Sequence, residues 1–134
     1  MPVELDELLV PDAAGWRSWL LHHHESSPGV WLVLHKKGGA VTGLTYVDAV
    51  EEALCFGWID GQARRRDAGS SSIRMTRRRP RSPWSPSNVE RVERLDRDGR
   101  MHEAGWAAVR SAQADGRWDR ATAAGTPPPA GAAG

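Results

Sequence analysis

The stretch Thr45–Arg79, TYVDAVEEALCFGWIDGQARRRDAGSSSIRMTRRR, decides the fold class. Its first part reads as a helix with clear ends. Thr45 takes the N-cap, Asp48 three residues on comes close to a capping box, and Gly57 suits the position just past the helix end. Tyr46, Ala49, Val50, Ala53 and Phe56 form the expected buried stripe, with Asp48, Glu51 and Glu52 facing outward. From Trp58 the pattern turns extended. Two arms flank an Asp67–Ser72 turn, Asp-Ala-Gly-Ser-Ser-Ser, which predicts a hairpin. In its first arm Trp58, Asp60 and Gln62 share one face, and Ile59 and Gly61 the other.

Working outward, DAAGWRSWLLHHH upstream predicts a helix capped by Asp12, with Trp16, Trp19, Leu20 and His23 along one face. The consecutive His22, His23 and His24 do not make a metal site, because neighbours on a helix point about 100° apart and cannot converge on one ion. Pro28-Gly29 punctuates the chain. VWLVLH then reads as a strand with apolar groups on both faces, closed by the KKGG turn. KKGG is not a phosphate loop, since its lysines precede its glycines. Downstream, Ser85 as N-cap and Pro86 at the first helical position open a helix with Val89, Val92 and Leu95 inside and Asp98-Gly99 at its end. A last amphipathic helix carries Met101, Trp106, Val109 and Ala112. Hairpin-connected strands segregated from helices predict an α+β fold, a small, mainly antiparallel sheet covered by about four helices in a single domain. The expected division is a lead segment over 1–13, the domain over 14–120, and a disordered Ala/Gly/Pro tail over 121–134.

Composition excludes several classes. The 134 residues suffice for one core. Cys55 stands alone, so no intrachain disulfide forms, and it reads as a small buried hydrophobe. No apolar run approaches the roughly 20 residues that span a bilayer, and the acidic start resembles no signal peptide. A cytoplasmic address without membrane insertion is the expectation. Seven tryptophans against one tyrosine and one phenylalanine point to a core edge or cavity rich in indole. Net charge is only +1, yet it divides into −6 over residues 1–61 and +7 over 62–134. That asymmetry fits an anion-binding surface, or two halves that neutralise one another.

Four separated blocks, ALCFGWIDGQ (53–62), TRRRPRSPWSPSN (76–88), GRM (99–101) and ADGRWD (114–119), together with GVWLVLHKKG upstream, resemble the YdeI/OmpD-associated family, also called bacteriocin-protection proteins. The resemblance spans roughly residues 14–119. It implies a bacterial protein with a protective or resistance role, and it brings no settled enzymatic activity and no cofactor. The sequence departs from the family pattern at AGSSSIRMT, where Ser71 replaces the usual aromatic residue and Met75 a phenylalanine. A pocket beside that strand would be wider, or tuned to a different ligand.

Eight arginines (64, 65, 66, 74, 77, 78, 79 and 81) occur within eighteen residues, with only Asp67 among them. Three readings stand. Arginines on a strand alternate in direction, so some face inward and need carboxylates or an anion. A small anionic or aromatic ligand would be held by Trp58, Asp60, Arg64, Arg78, Arg79, Arg81 and Trp84. Pro80, Pro83 and Pro86 would fix Arg79, Arg81 and Trp84 as a pre-ordered rim. Nucleic acid is disfavoured, because the pI of about 8.0 lies below that of a dedicated binder and no known module is matched. A partner protein is the further candidate for binding. If the protein is an enzyme, the expectation is cofactor-free acid/base chemistry by Asp60 with His35 or Tyr46, with arginines stabilising an oxyanion. Asp60 is expected to pair with an arginine.

Overall fold

Three polar side chains start helices where the sequence predicts. In the computed structural model, which describes residues 5–125, Asp12 Oδ1 accepts from the Gly15 amide at 2.9 Å, Thr45 Oγ1 from Asp48 at 3.2 Å and Ser85 Oγ from Asn88 at 3.1 Å. These open α1 (Ala13–His23), α2 (Tyr46–Cys55) and α3 (Pro86–Arg97); α4 (Glu103–Ala114) and α5 (Arg117–Gly125) follow. Gly57, at φ +74°, turns the chain out of α2 as its place after Phe56 predicts.

The strands are β1 (Glu7–Leu8), β2 (Val30–His35), β3 (Trp58–Asp67) and β4 (Ser70–Arg77), in the order β1-β2-β4-β3. The β3–β4 hairpin and the β2–β4 pair are antiparallel, whereas β1 runs parallel to β2. The sheet is therefore mixed, mainly antiparallel, and the fold is α+β, a single domain with five helices among the described residues. The lead segment joins the sheet through Glu7↔Trp31 and Leu8↔Leu32 and puts Val10 into the core. At the other end α5 runs through 121–125, with Ala121 buried, so the helix takes in residues that composition assigns to the tail. The rest of that tail, 126–134, lies outside the described residues.

The hairpin turn is tighter than the serine-rich sequence suggests. Only Ala68 and Gly69 lie between the strands, and Ser70–Ser72 belong to β4. The reason is local: Asp67 Oδ1 accepts from the Gly69 amide at 2.9 Å and from the Ser70 hydroxyl at 2.8 Å, closing the turn in two residues. Those bonds hold the Asp67 carboxyl below its ordinary value.

The core lies on one face of the sheet. Leu32, Ile73, Met75 and Trp58 are buried there against α2 and its neighbours. Trp16 and Trp19 stack with centroids 5.5 Å apart, and both meet the edge of Trp58. The buried indole N–H groups of Trp16 and Trp58 donate to Ala49 O at 3.0 Å and His24 O at 3.3 Å. On the other sheet face, long arginines lie across the strands. The Arg64 guanidinium sits 3.8 Å over the Trp31 ring, and Arg66 Nε reaches Glu7 Oε1 at 2.7 Å.

Helix α2 departs most from the sequence reading. Glu51 and Glu52 are buried, not outward, and Tyr46, expected in the stripe, is exposed. The cause is that α2 contacts α1, α3, α4, β2 and β3, so its polar side also faces protein. The two carboxylates meet arginines arriving from other elements. Glu52 binds Arg17 at 2.9 Å and Arg100 at 3.0 Å, and Glu51 binds Arg94 at 2.5 Å and Arg100 at 3.4 Å. The acidic first half and basic second half thus neutralise one another in part by packing.

Candidate functional site

Where β4 ends, the chain turns inward. The Arg78 amide still donates to Gly57 O at 3.0 Å, prolonging the hairpin by one bond. Pro80 and Arg81 then form a turn closed by the Arg79 amide to Ser82 Oγ at 2.8 Å. Pro86 holds the residue before it, Ser85, in the extended conformation from which it caps α3. This rigid loop carries Arg78 and Trp84 onto α4. Below them opens a cleft of about 510 Å³, floored by Ala104, Ala107 and Ala108 and walled by His24, Phe56, Gly57, Arg78, Trp84 and Arg117.

Arg78 is the chemical centre of this cleft. Its guanidinium carbon stands 3.9 Å from the Trp84 ring centroid, and Nη1 donates to Pro83 O at 3.1 Å. Nε and Nη2 are buried and have no hydrogen-bond partner among the described residues. These two N–H groups lie on one edge of the planar guanidinium, the fork that accepts a carboxylate or phosphate through two parallel bonds. Burial lowers the Arg78 pKa to about 10, opposed by the charge of Asp60 and reinforced by that of Arg117. A buried cation with an unpartnered edge is costly unless something anionic meets it.

The neighbours are more settled. Arg117 spends its donors on Ser82 O at 2.7 Å, Asp115 at 2.7 Å and Ser111 Oγ at 3.1 Å, pinning the loop to α4 and α5. Arg77 Nη1 donates to Glu25 O at 2.5 Å. Phe56 stacks on His102 with centroids 4.6 Å apart, and both approach His24. Three further buried groups are unpartnered among the described residues: the Trp84 indole N–H and His24 Nε2, both on residues that line this cleft, and Ser72 Oγ on the sheet.

Of the residues that the sequence nominates for binding, the structure brings Arg78, Arg79 and Trp84 to the cleft. Arg81 lines an adjoining groove with Arg117 and Arg120, on the far side of Trp84. Trp58 and Arg64 are elsewhere. Trp58 is fully buried in the tryptophan cluster, because its face of β3 is the core face; Arg64 covers Trp31 on the opposite sheet face. Asp60 does not pair with an arginine: its Oδ2 accepts from the Tyr46 hydroxyl at 3.0 Å, and no basic nitrogen lies within salt-bridge distance among the described residues. The acid/base set is likewise divided. Tyr46 and Asp60 meet near the Met75 end of the hairpin, while His35 pairs with Ser70 at the opposite end of the sheet and binds Thr42 O at 3.1 Å.

Sequence reasoning misses His24, Phe56 and Arg117, which approach from α1, α2 and α5. Two of them sit inside the blocks of the family resemblance, CFG and DGRW. His24 carries no signal beyond the triple histidine.

Residues 8–108 match the family model described as a domain of unknown function, DUF8412. The chain belongs to that family. The DUF8412 region includes His24, Phe56, Arg78 and Trp84 and stops before Arg117. No curated protein and no solved structure matches the chain.

Proposed function

We propose that the cleft binds a small organic anion with a flat apolar body, and that this binding serves a protective, resistance-type role in the cell. The observation that carries the reading is the buried, unpartnered Nε–Nη2 edge of Arg78 beside the Trp84 ring. A carboxylate on that edge would satisfy two buried donors and the buried charge together. The alanines of α4, with Phe56 and Trp84, offer an apolar slot for the rest of the molecule. The protective role is the part supported by the resemblance of the ALCFGWIDGQ, TRRRPRSPWSPSN, GRM and ADGRWD blocks to the YdeI/OmpD-associated family. The surroundings supply binding groups.

Calorimetric titration with benzoate, indole-3-carboxylate and a short duplex, each at low and moderate salt, tests this reading. Saturable one-to-one binding of the carboxylates with weak salt dependence is the expected result. A duplex held through six phosphates would lose about a thousandfold in affinity between 50 and 200 mM salt. Steep duplex binding without a response to the carboxylates would replace the cleft with an extended basic surface.

A further inference from the structure

His24 gives the cleft a polarity that Arg78 alone does not. The imidazole is nine-tenths buried at the end of α1, and its Nδ1 lies 2.8 Å from Leu20 O. A backbone carbonyl only accepts, so Nδ1 carries the proton, and in the neutral ring Nε2 is a bare lone pair. That lone pair is buried and unpartnered among the described residues, on a side chain that lines the cleft. Glu25 Oε1, the nearest charged group, stands 3.7 Å away, too far for a hydrogen bond and itself another acceptor. His102 presents its ring edge-on at 5.1 Å, with Nδ1 spent on the Ala104 amide at 3.0 Å, and Phe56 covers the remaining side.

The cleft therefore holds two unmatched sets. Arg78 and Trp84 offer only donors, and His24 offers an acceptor. Resting on the anion-binding reading, we infer that the ligand is bifunctional: an aromatic carboxylate that also carries a hydroxyl or amino group, whose proton is donated to His24 Nε2. An unsubstituted carboxylate would satisfy Arg78 but leave the histidine lone pair buried without a partner. A site built around a buried acceptor rejects the analogue that lacks the donor.

The test compares benzoate with 3- and 4-hydroxybenzoate and 4-aminobenzoate by calorimetry on the full chain, with wild type and His24→Phe. At least one substituted acid should bind about tenfold more tightly than benzoate, the worth of one buried hydrogen bond. His24→Phe should remove that preference, so that the substituted acids bind no more tightly than benzoate does to the same variant. Nitrogen NMR of the wild-type histidines guards against a misfolded variant, since the His24 Nε2 resonance should move with the substituted acid and not with benzoate. Equal affinities for all four acids, or an unmoved His24 resonance, would overturn the inference while leaving the anion site standing. Failure of every carboxylate to bind would remove the anion site and the inference with it.

Discussion

The guanidinium of Arg78 lies 3.9 Å over the ring of Trp84, with its Nε–Nη2 edge buried and unpartnered among the described residues. The stacking and the bond to Pro83 O recover part of the cost of burying the charge; the unpartnered edge recovers nothing. The lowered pKa expresses that balance. A base depressed from the ordinary arginine range to about 10 destabilises the folded state at every pH below about 10, and the penalty is relieved only as pH rises from there towards the ordinary range. Arg78→Met, close in shape and uncharged, should therefore stabilise the protein by about 1–2 kcal/mol at neutral pH, after loss of the stacking and one hydrogen bond. Chemical denaturation measures it. A less stable variant would mean that Arg78 is a structural strut.

Gly105 answers a puzzle in the sequence, a glycine inside an amphipathic helix. A Cβ there would stand 2.4 Å from Cys55 O and 2.8 Å from Leu54 O, so α4 crosses directly on the end of α2. Alanine favours helix over glycine by about 1 kcal/mol, yet the overlap is with backbone that cannot yield. Gly105→Ala should cost on the order of 2–3 kcal/mol and widen the cleft floor. Thermal denaturation that shows a neutral or stabilising change would contradict this packing.

The fold was largely legible because its boundaries are local. Asp12, Thr45 and Ser85 cap helices through bonds three residues away, and Gly57 and Pro86 act through their own dihedrals. What depends on distant partners was not legible. Glu51 and Glu52 look like a solvated face until α1 and α3 bring arginines to them. A two-residue parallel strand such as β1 has no period to read. In the site, Arg78, Arg79 and Trp84 stand out because prolines hold their short loop. Trp58 and Asp60 were grouped with them by alternation along β3, but that alternation puts Trp58 into the core, and register shifts follow between Asp60 and Ala63. His24 and Arg117 lie more than thirty residues from the loop in either direction, where no pattern links them.

His102 couples stability to pH. Its Nδ1 accepts from the Ala104 amide as the N-cap of α4, a bond lost when that nitrogen is protonated. Burial foremost, with the charge of Arg17 adding to it, lowers its pKa from the ordinary 6.5, against weaker opposition from Glu103 and Glu25. The unfolded chain takes the proton first, so stability is complete above 6.5 and falls as pH drops from there towards the folded value. His102→Asn keeps a capping group and removes the titration. Melting temperatures at about pH 7.5 and 5.5 should differ less in the variant than in wild type. Equal differences would place the pH dependence elsewhere.

Glu52 ties three elements by binding Arg17 of α1 and Arg100 of the α3–α4 connection from within α2. Glu52→Gln leaves two cations facing a neutral amide. The arginines are about one-third exposed, so solvent screens part of the loss, and the expected cost is about 2 kcal/mol by urea denaturation. No change would mean that the arginines are satisfied by water alone.

Anion binding by the unpartnered edge of Arg78 is tested most directly by a side-by-side calorimetric titration of wild type and Arg78→Met with benzoate and the hydroxybenzoates. Wild type should bind one equivalent of at least one of these acids, and the folded variant should lose about 1.5–3 kcal/mol of that affinity, the worth of charge-assisted bonds to the carboxylate. Equal affinities in the two proteins, or no heat from any carboxylate with wild type, would contradict it.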